Sequence, residues 1–197
     1  DSFFEGKVTI GVNQTYKKIK TMYLVRKESQ LLDEVVGENP DTTHFVSAGA
    51  GGGSNLTNKE YIQTKDFSNI VVFDHDENEW YKHNGLRLPR ENNKLVVSYS
   101  TITTAIHLAA HMGAKNVLIL GHDCGTLDGE CNFDGYHTDA TYKIAWKNGK
   151  NDYEKWLPQI EGDTIQLKGL LKNKYGCNVY SINPFINFNL EGHVYKR

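Results

Sequence analysis

At 197 residues the chain is sized for one domain with a real core, and 1–197 is expected to fold as a single unit. Twenty-two basic residues against twenty-four acidic ones leave a formal net charge of −2, which gives no electrostatic case for nucleic acid or an anionic membrane surface as partner. No apolar run nears the ~20 residues that span a bilayer, and the opening residues do not read as a signal peptide. Three cysteines, Cys124, Cys131 and Cys177, are too few for a disulfide framework and point to a reducing, cytoplasmic setting.

Residues 7–12 (KVTIGV) and 21–26 (TMYLVR) are apolar runs of strand length. Over 28–36, Leu31, Leu32, Val35 and Val36 share one helical face, and Gly37 and Pro40 are stop signals. Residues 43–47 (THFVS) form a short strand before a Gly-rich loop at 48–55, and 69–74 (NIVVFD) and 95–98 are further strands. Ser100 and Thr101 open a helix over 101–112 that ends at Gly113; 116–120 then reads as a buried parallel strand, closed by Gly121, His122 and Asp123. A polar stretch, 122–152, exceeds the usual ~12–15-residue ceiling for a connection, and loops of that length at a strand tip are lids or binding loops. A helix is predicted from about 164 to 175, with Asp163 as N-cap and Gly176 just past its end, before a last strand at 178–182 (NVYSI). This alternation predicts an α/β fold, Rossmann-like, with a mainly parallel sheet and helices on both faces. Strands 7–12, 117–120 and 178–182 are expected in that one sheet.

In open parallel sheets ligands sit outside the carboxyl ends of the strands. Several polar groups fall there. Ser100 and Thr101 start a helix, whose N-terminus favours anions. Gly121, His122 and Asp123 stand at a strand tip. Asn13-Gln14 and Asn183 end strands with carboxamides that suit a base, ribose or phosphate, or an Asx-type turn. The long loop holds Cys124, Cys131, Asp134, His137 and Asp139. Among these His137 suits a general base near neutral pH, with Asp123 orienting a ligand hydroxyl or the imidazole. A Cys–His nucleophilic pair stays open. Residues 49–54 (GAGGGS) fail the dinucleotide fingerprint, since Ser54 stands at the third glycine position, and lack the lysine of a P-loop. Asp74 and Asp76 fit a D-x-D pair holding Mg²⁺ or Mn²⁺ on a diphosphate, although a solvated acidic turn is the preferred reading. His107 and His111 have the spacing of a zinc pair, but Ile102, Ala105, Ile106 and Ala109 define the buried face, which puts Thr104, His107 and His111 toward solvent. No metal site is expected there.

Four stretches together resemble one family: 8–16 (VTIGVNQTY), the hydroxyl-started helix 100–113, 117–123 (VLILGHD) with the later Asp-Gly and His137, and 178–184 (NVYSINP). The combination resembles the domain-of-unknown-function 115 group, which includes MptE-like proteins, the motility-associated-factor glycosyltransferases and phage-encoded relatives; more distantly it is similar to bacterial lipooligosaccharide sialyltransferases. The resemblance implies a Rossmann-like domain for a nucleotide-sugar donor, a CMP-nonulosonate first, and transfer of the glycosyl group. It carries Asn13 to a donor contact, Thr101 to a hydroxyl near the donor, Gly121 and Asp123 to a Gly-x-Asp strand ending, and His137 to a His that follows Asp-Gly. It implies no cofactor; Mg²⁺ or Mn²⁺ remains the alternative. The acceptor and the oligomeric state are left open. Three departures stand out. The Gly-x-Gly-Pro-Ser loop of those families does not precede Asp1, so the sheet is expected to lack its first strand here. The sialyltransferase base has no counterpart in 155–163, and Val25-Arg26 replaces an Asn-Pro. The rival readings are an MptE-like pyrophosphokinase using ATP and Mg²⁺, and a catalytically silent, virion-associated nucleotide-binding protein.

Overall fold

The computed structural model describes residues 2–27, 31–49, 56–76, 85–90, 93–122 and 150–182. The chain forms two compact units, one of residues 1–76 with 89–95, the other of 77–88 with 96–197.

In the first unit, β1 (Ile10–Val12), β2 (Tyr23–Arg26), β3 (Thr43–Ser47) and β4 (Ile70–Asp76) lie side by side in chain order, and β5 (Lys94–Val96), whose first two residues belong to this unit, completes a five-stranded sheet. The first three ladders are parallel, with Gly11 opposite Leu24, Leu24 opposite His44, and Phe45 opposite Val71. Parallel neighbours need crossovers, here a 3₁₀ turn at Thr15–Lys17, then α1 (Leu32–Glu38) and α2 (Asn58–Gln63). Leu24, Val25 and Val46 from the strands are buried, as are Leu32 and Val35 on α1, the branched apolar residues that such a sheet and its crossover favour for packing. The start of α2 is a full capping box: Thr57 Oγ1 accepts from the Glu60 N–H, and the Glu60 carboxylate accepts from the Thr57 N–H at 2.7 Å. That T-x-x-E signature stands openly in the sequence, yet the expected elements passed over this helix because its neighbourhood is polar and Gly-rich.

The second unit holds α3 (Thr101–His111), β6 (Asn116–Leu120), α4 (Lys150–Tyr175) and β7 (Asn178–Ile182). Strands β6 and β7 are parallel, in register from Asn116 opposite Asn178 to Leu120 opposite Ile182. Ile106 and Ala110 of α3, Leu167 and Leu171 of α4, Ile119, Cys177 and Val179 make one buried cluster with Val96. The whole is an α/β fold with a mainly parallel sheet flanked by helices, Rossmann-like in topology.

Four local expectations need correction. Strands 117–120 and 178–182 pair with each other as a two-stranded ladder, while 10–12 belongs to the five-stranded sheet. An apolar run identifies a strand but carries no information on its partner. Nor is 116–120 buried throughout: Leu118 and Leu120 are exposed beside Tyr180 and Ile182, so only one face of this ladder meets the core. The last helix begins at Lys150 and runs through Pro158, which places Asp163 mid-helix instead of at an N-cap. Proline reads as a stop because it removes an amide donor, and the burial of Ile160, Leu167 and Leu171 along one helix outweighs that loss. Finally, Thr104 and His107 do not face solvent. The Thr104 hydroxyl donates to the Val96 carbonyl at 2.8 Å, and His107 Nδ1 accepts the Val96 N–H at 3.0 Å. Helix α3 is covered on two sides, and its polar stripe satisfies the backbone of Val96 instead of water.

Candidate functional site

The described site grows from the three residues that lead into α3. Ser100 has extended backbone angles (φ −124°, ψ 139°), and its Oγ accepts the Ile102 N–H, so it is the N-cap. The Thr103 hydroxyl donates back to the Ser100 carbonyl at 2.7 Å and lies 2.9 Å from Ser98 Oγ. Ser98, Thr101 and Thr103 are all buried. A short hydroxyl-rich strip therefore runs along the inner side of the helix start.

Two successive residues of α4 back this strip. Asp163 is 4% exposed. Its carboxyl accepts from Gln159 Nε2 at 2.8 Å, from the Ser98 side chain and from the Tyr99 backbone N–H. Burial pushes its pKa up, and the hydrogen bonds pull the other way. The next residue, Thr164, donates its hydroxyl proton to the Ile160 carbonyl at 2.9 Å. Its oxygen is 3.0 Å from His122 Nε2. With the only hydroxyl proton already given to Ile160, His122 Nε2 is the donor in that contact, and the neutral ring carries its proton there. Burial lowers the His122 pKa to about 4, so at neutral pH this imidazole offers hydrogen bonds and no charge. Gly121 turns the chain at the end of β6 with φ +72°, in the left-handed region that glycine enters without a Cβ penalty.

Of the residues expected in a donor site, Ser100, Thr101, Gly121 and His122 thus stand in the second unit, where the helix start and the β6 tip are both tied to α4. Asn13 and Gln14 stand in the first unit. Asn13 has φ +53°; its N–H donates to the Val25 carbonyl at 3.0 Å, and its own carbonyl accepts from Arg26 Nη1 at 3.2 Å. Gln14 is buried. Asp74 lies within β4, which continues through Asp76, and its carboxylate accepts from Asn93 Nδ2 at 2.9 Å. Among the described residues no group of three or more His, Cys, Asp or Glu side chains is placed to hold a metal ion. Asp123, His137 and Asn183, with Cys124, Cys131, Asp134 and Asp139, lie outside the described residues. Asp163, Thr164, Ser98 and Gln159 escaped sequence reasoning. The Gln159–Asp163 pair has the i, i+4 spacing of a helix face, a signal that falls before the expected helix start at about 164.

No family model, no curated protein and no solved structure matches the chain. An α/β fold of this kind is consistent with nucleotide or cofactor binding in general, and it is an architecture often associated with nucleotide-binding enzymes. Among the described residues, no helix is long and apolar enough to cross a membrane.

Proposed function

We propose that this chain is glycosyltransferase-like: it binds a nucleotide-activated sugar, a CMP-nonulosonate, and transfers the glycosyl group to an acceptor. The observation that supports this best is the start of α3, an 11-residue helix whose first turn is bordered by Ser98, Ser100, Thr101 and Thr103. The leaving group of such a donor is a phosphate monoester. Backbone N–H groups and the positive end of a helix dipole stabilise the charge it carries away, with no obligatory metal. His122, neutral and oriented by Thr164, supplies hydrogen bonding at the adjoining strand tip. Asn183, read as a strand-end carboxamide, is taken as a further donor contact. His137 is taken as the base that accepts the acceptor's proton, with Asp123 orienting it; removing such a base costs ~10²–10⁴ in rate.

Thermal shifts with CMP, UDP, GDP and ATP, each with and without Mg²⁺, test the proposal. CMP is expected to stabilise the chain without Mg²⁺, by about 2.7 kcal/mol at a hundredfold excess over Kd. Thr101→Val, which deletes a hydroxyl at constant shape, is expected to reduce that gain. Stabilisation by ATP that requires Mg²⁺ points instead to pyrophosphoryl transfer, and no response to any nucleotide overturns the proposal. In a transfer assay His137→Ala should abolish most turnover and leave CMP binding within a few-fold.

A further inference from the structure

We infer that Asp163 is a positioning residue for the donor phosphate: from the middle of α4 it holds residues 98–100 in the one arrangement that presents the start of α3. The inference rests on the reading of that helix start as the phosphate end of the site. A carboxyl group buried in a helix interior is costly unless its oxygens are hydrogen-bonded, and an apolar residue would fill the same space more cheaply. Of the three donors that satisfy Asp163, one is on its own helix, Gln159. The other two, the Ser98 side chain and the Tyr99 N–H, belong to consecutive residues leading directly into the Ser100 cap. With the Ser98 proton given to Asp163, Thr103 is the donor toward Ser98 Oγ at 2.9 Å, its one proton shared between that oxygen and the Ser100 carbonyl at 2.7 Å. The carboxyl therefore grips both sides of the cap: the chain before it directly, and the first helical turn through two hydroxyls.

The arrangement has a functional logic beyond stability. The cap bond of Ser100 fixes its side chain relative to α3, but it does not fix the helix start relative to the rest of the unit. Asp163 makes that second connection, and Thr164 beside it makes the equivalent connection to His122. One turn of α4 thus orients both the helix start and the β6 tip, as outer-shell groups orient the residues that touch a ligand. Asp163 itself touches no ligand in this scheme.

A merely structural role and a positioning role separate in the contribution of the phosphate to binding. Calorimetric affinities for CMP and for cytidine are measured on the full chain for the wild type, Asp163→Asn, Ser98→Ala and Ile119→Val. The Asn variant keeps the shape of Asp163 but faces one of its donors with an amide N–H₂. Ser98→Ala removes only the far end of the grip and carries the test if Asp163→Asn does not fold. Ile119→Val trims the core away from 98–100. The wild type is expected to prefer CMP over cytidine; the Asp163 and Ser98 variants should lose about fivefold or more of that preference, the scale of one charge-assisted hydrogen bond, with cytidine affinity unchanged. Ile119→Val should lose stability and keep the preference. If the wild type prefers CMP and both grip variants retain the full preference, the inference fails alone. If the wild type binds CMP and cytidine alike, the donor reading fails and takes the inference with it.

Discussion

Acidification should destabilise this protein through His107 in a way that can be worked out from its surroundings. The ring is 2% exposed. Nδ1 accepts the Val96 N–H at 3.0 Å, so the proton of the neutral ring sits on Nε2, 3.4 Å from the Tyr175 hydroxyl. A second proton would have to go on Nδ1, where it would meet the Val96 N–H head-on. Burial first, then the charges of His111 and Lys174, lower the pKa from 6.5 to about 4. In the unfolded chain the same ring titrates near ~6.5. As pH falls, the unfolded chain therefore takes up the proton before the folded one does. The stability attached to the neutral ring is fully present above the unfolded value. It drains away as pH falls from there through the folded value. At about 1.4 kcal/mol for each tenfold difference in proton affinity, the loss amounts to about 3 kcal/mol. Urea unfolding between pH 7 and pH 4 measures it, with His107→Asn as the reference, because the Asn Oδ1 replaces Nδ1 as acceptor for Val96 and does not titrate. The wild type should lose about 3 kcal/mol more than the variant over that range. The slope that remains in the variant belongs in part to His122, whose pKa is lowered in the same direction. Equal pH dependence in the two proteins, or an NMR titration of His107 near the unfolded value, would refute the reasoning.

Two further outcomes follow from packing. A Cβ on Gly11 would come within 2.8 Å of Thr21 Oγ1, itself held on the Tyr23 carbonyl, and 2.9 Å of Leu24 Cδ1, so Gly11→Ala should cost about 1–3 kcal/mol of overpacking in denaturant titrations; an unchanged midpoint would show that the neighbours yield freely. Cys177 is fully buried and burial raises its thiol pKa, so iodoacetamide should label it only in denaturant, as mass mapping of its peptide reports; labelling of the folded chain at the rate of a free thiol would contradict its place in the core.

All seven described strands overlap runs that the apolar pattern marks, from 7–12 to 178–182. Strand identity is local: a short β-branched or aromatic run bounded by turn residues is enough. The same holds for α3, whose hydroxyl start and glycine end are local cap chemistry, and for the α/β class, which follows from alternation alone. Ser100, Thr101, Gly121 and His122 were legible as candidates for that reason, since each closes or opens a local element.

Partnership was not local. Nothing in 116–120 distinguishes a ladder with 178–182 from one with 10–12, because the backbone groups that pair are the same in every residue. Helix faces were misread where the partner is another segment's backbone: a periodicity argument places Thr104 and His107 toward water because they are polar, while the folded chain uses them to satisfy the N–H and C=O of Val96. Asp163 shows the difference most clearly. By itself an Asp before Thr164 suggests an N-cap, and a Pro five residues earlier suggests a boundary. Only when α4 is packed against the residues leading into α3 do Ser98 and Tyr99 come within reach of its carboxyl. The residues of the chain determined which elements form and where they start and stop, because those preferences arise within a few bonds. Which polar groups meet across elements was decided by tertiary packing, because a buried donor or acceptor takes whatever partner the fold delivers to it.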